Sequence, residues 1–527
     1  MKTNPTVQHI SECFIKPQYV PEDSKQPFYL TPWDLAMLSI HHIQKGLLFA
    51  KPYNDEEKGE EGNDFMESIL DKLKNSLSLS LVHFYPLAGR LKTIKTENPS
   101  SYLVYVDCNN TPGAKFIYST LDLTISDILS PTDVPCKIVQ TLFDHHKAVS
   151  HDGHTMSLLS IQVTELVDGV FIGCSMNHSV GDGTSYWNFF NMWSEIFRAQ
   201  EFSGNNNINS ISCPPILKRW FPDGHGPIIN LPYTNPDEFI GRFESPLLRE
   251  RFFHFSVESI ARLKARANVD CSNGISSLQS LSALVWRSIT RARNLPPDQV
   301  TTCKLATNDR SRLDPPLSEN YFGNVLYAIK SCSKAGDLLD HDLGWAARKL
   351  HEAVVNHSNE DTREFLQEWL CYPQVYEYGL FFDPFTVMMG SSPRFNKYGC
   401  EFGMGKAVAV RSGYANKFDG KVSCYPGRDG GGRSNRILAT EKEISALERV
   451  VEYELFLDMA IAVIIFRAHS HLGVAWRWPD GVIWVLLAVI DLNEISTKDA
   501  VNSVKLNLLE LMLPIAVAAS TLVVPTS

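Results

Sequence analysis

The chain has 527 residues, 44% hydrophobic and 20% charged, with Lys+Arg 49 against Asp+Glu 59 for a net charge of −10. That composition supports a sizeable buried core and excludes a disordered chain, a collagen and a coiled coil. The acidic balance argues against nucleic acid or an anionic membrane surface as the main partner, and leaves room for a local basic pocket for a phosphorylated cofactor. In chain order, Met1–Pro17 lacks the apolar run of a signal peptide. Pro32-Trp33-Asp34-Leu35-Ala36-Met37-Leu38 reads as a buried segment, and the acidic, Gly-bearing stretch Asn54–Asp64 as a surface loop. Met66, Ile69, Leu70, Leu73 and Leu77 recur at helical spacing and predict a helix over Phe65–Leu79. Tyr85–Leu91 is a Pro/Gly-punctuated turn into a strand.

Leu159–Thr164 alternates apolar and polar residues, Asp168-Gly169 is a hairpin signal, and Val170–Met176 returns as a largely apolar, central strand. Asn177–Gly183 is a short loop. Ser185–Arg198 follows as a helix with the stripe Tyr186, Phe189, Phe190, Trp193 and Phe197. A loop at the carboxyl end of a buried strand, followed by a helix, is where α/β proteins commonly place chemistry.

Glu201–Phe239 is dense in Asn, Pro, Gly and Ser and reads as a linker at a domain boundary. Strand character restarts at Phe252–Val257. Ser276 and Gln279 predict a capping box for a helix with Leu278, Leu281, Val285 and Ile289 on one face, ended by Pro296-Pro297. Strands and helices alternate to about Gly432. At about 150 residues per domain the length alone suggests three to four domains, but the pattern reduces this to two lobes, 1–200 and 240–432, a linker over 201–239 and a tail over 433–527. The eleven cysteines show no CxxC or zinc spacing and read as reduced thiols. The tail's apolar runs, Met459–Phe466, Gly481–Ile490 and Leu511–Ser520, fall short of the ~20 residues of a spanning helix. The expectation is a soluble cytoplasmic protein.

The chemical focus is His178-Ser179-Val180-Gly181-Asp182-Gly183. A histidine on such a loop can act as general base near neutral pH. Gly181 and Gly183 allow a tight turn and close approach of a ligand. Asp182 either orients the imidazole or holds the loop through a salt bridge, and a plain polar turn is the competing reading. The stretch His145, His146, His151 and His154 lacks dependable metal-ligand spacing, so no metal is expected. No GxSxG elbow occurs, and Gly430-Gly431-Gly432 lacks the Gly-Lys-Ser/Thr of a P-loop. Gly399, Gly403 and Gly405 imply close packing around Glu401–Gly405, read from the residues alone as a structural turn.

These segments together resemble the plant BAHD (HxxxD-type) acyltransferases. The resemblance is carried by Tyr85–Leu91 (YPLAGRL), Asn177–Gly183 (NHSVGDG), Asp309–Leu313 (DRSRL), Tyr321–Asn324 (YFGN) and Glu401–Gly405, up to about Gly432. Asn177–Ile196 and Arg219–Pro227 (RWFPDGHGP) make it similar to an uncharacterised acetyltransferase-like branch. The resemblance implies a mixed α/β, two-lobed chloramphenicol-acetyltransferase-like fold with a central channel, the lobes being joined by the crossover 201–239. It implies His178 as catalytic base, an acyl-CoA co-substrate with no permanently bound cofactor, a small-molecule alcohol or amine acceptor, and a monomer; the charge balance and the short apolar runs lead to the expectation of no nucleic-acid and no membrane partner. It further implies that Asp182 points away from substrate and pairs with Arg310 or Arg312, and that Gly181, Gly183, Glu401, Phe402, Gly403 and Gly405 support the site. Arg394 corresponds to an arginine that grips an acceptor carboxylate in hydroxycinnamoyl-transferring relatives. Ser391, Ser392 and Met404 are further substrate-binding candidates by the same resemblance.

Two departures stand out. Glu401 and Met404 replace the Asp and Trp of the family's DFGWG motif. After Gly432 the family's strand gives way to Arg433-Ser434-Asn435-Arg436-Ile437-Leu438, which predicts an exposed sheet edge. Thr440–Glu448 reads as a helix, and an aberrant coding end accounts for the remainder of the tail. The alternatives to an acyltransferase are a non-catalytic family member with a damaged C-terminus and a scaffold diverted to lyase chemistry.

Overall fold

The two runs flanking Asp168-Gly169 form an antiparallel hairpin, Leu159–Glu165 with Gly169–Met176, inside a six-stranded sheet. The computed structural model describes residues 6–52, 61–98, 100–203, 211–245, 248–269, 274–378, 383–390, 393–428 and 433–439. All of them lie in the unit Met1–Met459, and the second unit, Ala460–Ser527, falls outside the described residues. The first sheet runs in the order Gln8–Ile15, Ala114–Thr120, Leu159–Glu165, Gly169–Met176, Ile43–Ala50, Ala409–Ser412. Every pair is antiparallel except Ala114–Thr120 with Leu159–Glu165.

Gly169–Met176 is buried along its whole length because both sheet faces are covered. Val170, Ile172, Cys174 and Met176 enter the main core, and Phe171 joins a cluster on the opposite face with Leu142, Phe143 and Leu48. Two helices line the main core. The predicted Phe65–Leu79 helix is longer, Glu61–His83, and Ser185–Arg198 becomes Gly183–Ser203. Their stripes, Met66, Ile69, Leu70, Leu73 and Leu77 on one and Tyr186, Phe189, Phe190, Trp193 and Phe197 on the other, are buried as the spacing predicts. Thr31 caps the short helix Pro32–Ala36 through a capping box with Asp34.

The second sheet has the order Leu326–Lys334, Val300–Asn308, Thr386–Gly390, Lys421–Pro426, Arg433–Ala439, Arg249–Phe255. Helix Ser277–Arg293 covers it, started by the expected box: Ser276 N–H donates to Gln279 Oε1 at 2.8 Å and Gln279 N–H to Ser276 Oγ at 3.2 Å. The expectation of a lost strand after Gly432 is corrected here. Arg433–Ala439 is itself a strand, paired with Lys421–Pro426 on one side and Arg249–Phe255 on the other. Sheet pairing is made by backbone groups, so two waiting neighbours accept a strand that lacks the alternating acidic and apolar pattern. The predicted Thr440–Glu448 helix and the tail runs lie outside the described residues.

A strand from the segment read as the second lobe, Ala409–Ser412, completes the first sheet against Lys45–Leu48. The crossover boundary is corrected at its start, since 201–203 ends the helix Gly183–Ser203, and the described part beyond it, 211–239, carries no strand and one 3₁₀ turn, Pro236–Glu238. It is tied down at both ends. Leu231 exchanges backbone hydrogen bonds with Tyr102, and Ile216 bonds to Asn320 and Phe322. Every described cysteine is a free thiol, and among the described residues no helix is long and apolar enough to cross a membrane.

Candidate active site

Strand Gly169–Met176 ends at Asn177, whose side chain builds the following loop. Asn177 Nδ2 donates to the Ser150 carbonyl at 2.7 Å, and Asn177 Oδ1 accepts from Ser179 N–H at 2.9 Å and Ser179 Oγ at 2.7 Å. Gly181 is required by space: a Cβ there would stand 2.9 Å from Ser185 Cβ. Asp182 then caps helix Gly183–Ser203 by accepting Ser185 N–H at 2.9 Å.

His178 is held partly exposed between these buried neighbours. Its Nδ1 is buried and meets no hydrogen-bond partner of good geometry among the described residues. Burial pushes the imidazole below its ordinary pKa, helped by the Lys421 charge and opposed by the ring's own backbone, the Asp182 carboxylate and the Asn324 side chain. The ring is therefore neutral at pH 7 and has a lone pair to accept a proton.

Asp182 is turned away into a buried ion pair. Arg310 Nη1 lies 2.7 Å from Asp182 Oδ2, and Arg310 Nη2 lies 3.1 Å from Asp182 Oδ1. Val325 N–H adds a donor to Oδ2 at 3.1 Å. Burial pushes the carboxyl up, but the Arg310 charge and these hydrogen bonds outweigh it and hold Asp182 below the usual carboxylate range. The guanidinium is satisfied in turn by the Tyr321 and Gly323 carbonyls and Asn308 Oδ1. The choice left open between Arg310 and Arg312 is thereby made: Arg312 faces the other way, 3.9 Å from Asp309 Oδ1 and bonded to the His357 carbonyl. Asp309 itself holds His357 Nε2 at 2.8 Å and Thr362 Oγ1 at 3.0 Å.

The turn Tyr321–Val325, whose YFGN carries part of the resemblance, supplies support to which the sequence attaches no role. Asn324 Nδ2 donates to the His178 carbonyl at 2.8 Å and to Asp34 Oδ1 at 2.8 Å. Asp34, fully buried, also accepts Asn324 N–H at 3.0 Å and is paired with Arg219 of the crossover. YFGN, the buried segment around Asp34 and RWFP are each visible in the sequence, but nothing local says that they meet.

The remaining candidates make contacts of their own. Glu401–Gly405 is a structural turn: Glu401 N–H donates to Ser194 Oγ at 2.7 Å, and Gly403 and Gly405 sit at φ +73° and +69°. Phe402 is wholly buried, its ring 4.7 Å from that of Trp193. Met404 is corrected from a substrate-binding candidate to a core residue, buried in the same cluster as Phe402. Arg394 is exposed, and its neighbour Phe395 stands 3.4 Å from where a Cβ on Gly183 would be. Ser391 and Ser392 lie outside the described residues. The histidine-rich stretch is occupied by local bonds. His145 Nε2 meets Ser157 Oγ at 2.9 Å, His151 Nε2 meets Tyr102 Oη at 2.9 Å, and His154 Nε2 meets Thr93 Oγ1 at 2.7 Å.

A profile of the Transferase family matches residues 6–453, continuing past Gly432, where the recognisable sequence motifs end. The chain is 35% identical over 432 residues to an uncharacterized acetyltransferase of Arabidopsis thaliana, covering 81% of this chain and 93% of that one. It is 32% identical over 472 residues to the BAHD acyltransferase DCR of the same organism, covering 86% and 92%. The structure resembles vinorine synthase at a TM-score of 0.62 and 21% identity, covering 84% of this chain and 96% of that one. It also resembles F. sporotrichioides TRI101 complexed with coenzyme A and T-2 at a TM-score of 0.61 and 17% identity, covering 80% and 97%.

Proposed function

The chain belongs to the Transferase family as a BAHD-type acyltransferase of chloramphenicol-acetyltransferase-like fold, and from that premise we propose that it moves an acyl group from a CoA thioester to a hydroxyl or amine of a small plant metabolite, with His178 as general base. The carrying observation is the division of labour within 178–182. The imidazole is neutral and partly exposed, while the carboxylate four residues on is consumed by Arg310, Ser185 and Val325.

The chemistry follows from that division. His178 takes the proton of the acceptor O–H or N–H as the heteroatom attacks the thioester carbonyl. The tetrahedral intermediate collapses with loss of the CoA sulfur, which receives the proton back from the imidazolium. Asp182 takes no part in proton transfer, because its oxygens are already bonded and its pKa is depressed. It fixes the loop on which His178 sits. A similar fold crystallised with coenzyme A supports the donor class. An acceptor bearing a carboxylate rests on the correspondence of Arg394 to the arginine that grips one in hydroxycinnamoyl-transferring relatives, and free thiols at the described cysteines support a cytoplasmic setting.

The test is release of free CoA thiol by the full chain over a panel of acyl-CoA donors with phenolic, alcohol and amine acceptors. Acceptor-dependent release is expected. A well-folded chain giving none would favour the non-catalytic alternative, and turnover of an acylated substrate without CoA would favour the lyase.

A further inference from the structure

Arg219 lies in the crossover, on a stretch without regular structure, yet its guanidinium is almost wholly buried. It pairs with Asp34, donates through Nη1 to the Phe322 carbonyl at 2.7 Å and through Nε to the Tyr29 carbonyl at 3.0 Å, and stacks 4.6 Å from the Phe28 ring centroid. Room for it is made by Gly323, where a Cβ would stand 2.5 Å from Arg219 Nη1.

Resting on the reading of His178 as the base, we infer that Arg219 is a positioning residue for the reaction, acting on His178 through Asp34 and Asn324. The chain of contacts is short and directional. The Asn324 amide has two N–H donors. One goes to Asp34 Oδ1 and the other to the His178 carbonyl, each at 2.8 Å. The amide cannot be turned over, since its oxygen would then face the Asp34 carboxylate. Asp34 thus dictates the direction of the donor that pins the His178 backbone, and Arg219 holds Asp34 in place at a site with no exposure to water. Removing the guanidinium leaves a buried carboxylate short of its counter-charge. That carboxylate then turns, and Asn324 loses the acceptor that aims it. The same turn, Tyr321–Val325, is gripped on its other side by Arg310 and Asp182. The catalytic loop is therefore held between two buried ion pairs, and one of them is anchored in the crossover.

The experiment is a double-mutant cycle on the full chain with Arg219→Gln and Asn324→Ala, reading kcat, both KM values, circular dichroism and Tm. Arg219→Gln is expected to lower kcat about tenfold per folded enzyme, with both KM values within about twofold of wild type. In the Asn324→Ala background it should lower kcat by less than about twofold more, because the link is already cut. Folded Arg219→Gln enzyme with wild-type kcat, or losses that multiply across the cycle, would overturn the inference. Should Arg219→Gln fail to fold, Arg219→Met takes its place under the same criteria, since it also removes the counter-charge and keeps the apolar stem that packs on Phe28. An inactive wild type would instead count against the acyltransfer reading, so the two failures are distinct.

Discussion

Arg310 meets Asp182 as a fork, 2.7 Å from Nη1 to Oδ2 and 3.1 Å from Nη2 to Oδ1, with both side chains sealed from water. Such a pair contributes little net stability when both charges are present, but breaking one half leaves the other stranded. Arg310→Ala should therefore cost about 3–5 kcal/mol of unfolding free energy. Asp182→Ala should lower Tm, soluble yield and activity together. Urea unfolding of the two variants checks this, and a Tm equal to wild type for either would contradict the structural role of the pair.

Acid should unfold this protein early. Burial holds His41 at about 4 and His42 at about 3, and neighbouring positive charge adds to both shifts. Burial lowers His145 and His154 as well, and takes His151 to about 4. Each folded-state value lies below the ordinary ~6.5, so the unfolded chain binds more protons on acidification. The stability of these groups is complete above pH 6.5 and is lost as pH falls toward 4, on the order of 2 kcal/mol for each of the two most buried rings. Tm should drop steeply from pH 7 to 4.5, and His42→Gln should flatten that slope.

Lys397 is wholly buried, donating to the Cys424 carbonyl at 2.9 Å with its Nζ 4.3 Å from the Tyr425 ring centroid. Burial lowers its amine to about 7, helped by the Lys45 charge. With a folded value below the unfolded one, the fold gains stability as pH rises from 7 toward 10.5. Lys397→Met should raise stability at pH 7 by about 1–3 kcal/mol and remove that rise. Thermal melts at pH 7 and 9.5 measure both effects.

Phe402 fills the core between Trp193 and Phe49, with ring centroids 4.7 Å and 6.1 Å away. Phe402→Ala should cost about 3–5 kcal/mol by leaving a cavity, with both KM values unchanged in the enzyme that remains folded. A selective rise in the KM for acyl-CoA would instead make this turn part of the donor site.

What could be read from the sequence was what is local. The period of two over Leu159–Thr164, the helical stripe from Tyr186 to Phe197 and the Ser276–Gln279 box are each settled within one element, and all recur in the structure. Arg310 against Arg312 could not be settled this way, because two side chains two residues apart differ only in which way a loop turns them. The Arg219–Asp34–Asn324 chain was hidden for a related reason: its members come from three segments that only the tertiary fold brings together. The strand Arg433–Ala439 was misread because its pairing rests on backbone groups, which a side-chain pattern does not display.

The central claim is that His178 is the base and that its loop is a scaffold. The direct measurement is CoA thiol release by His178→Ala, compared with wild type at matched folded concentration. Removal of a general base should lower kcat by about 10²–10⁴-fold, with circular dichroism and Tm close to wild type because His178 is only partly buried. Normal turnover by the folded His178→Ala chain would contradict the account.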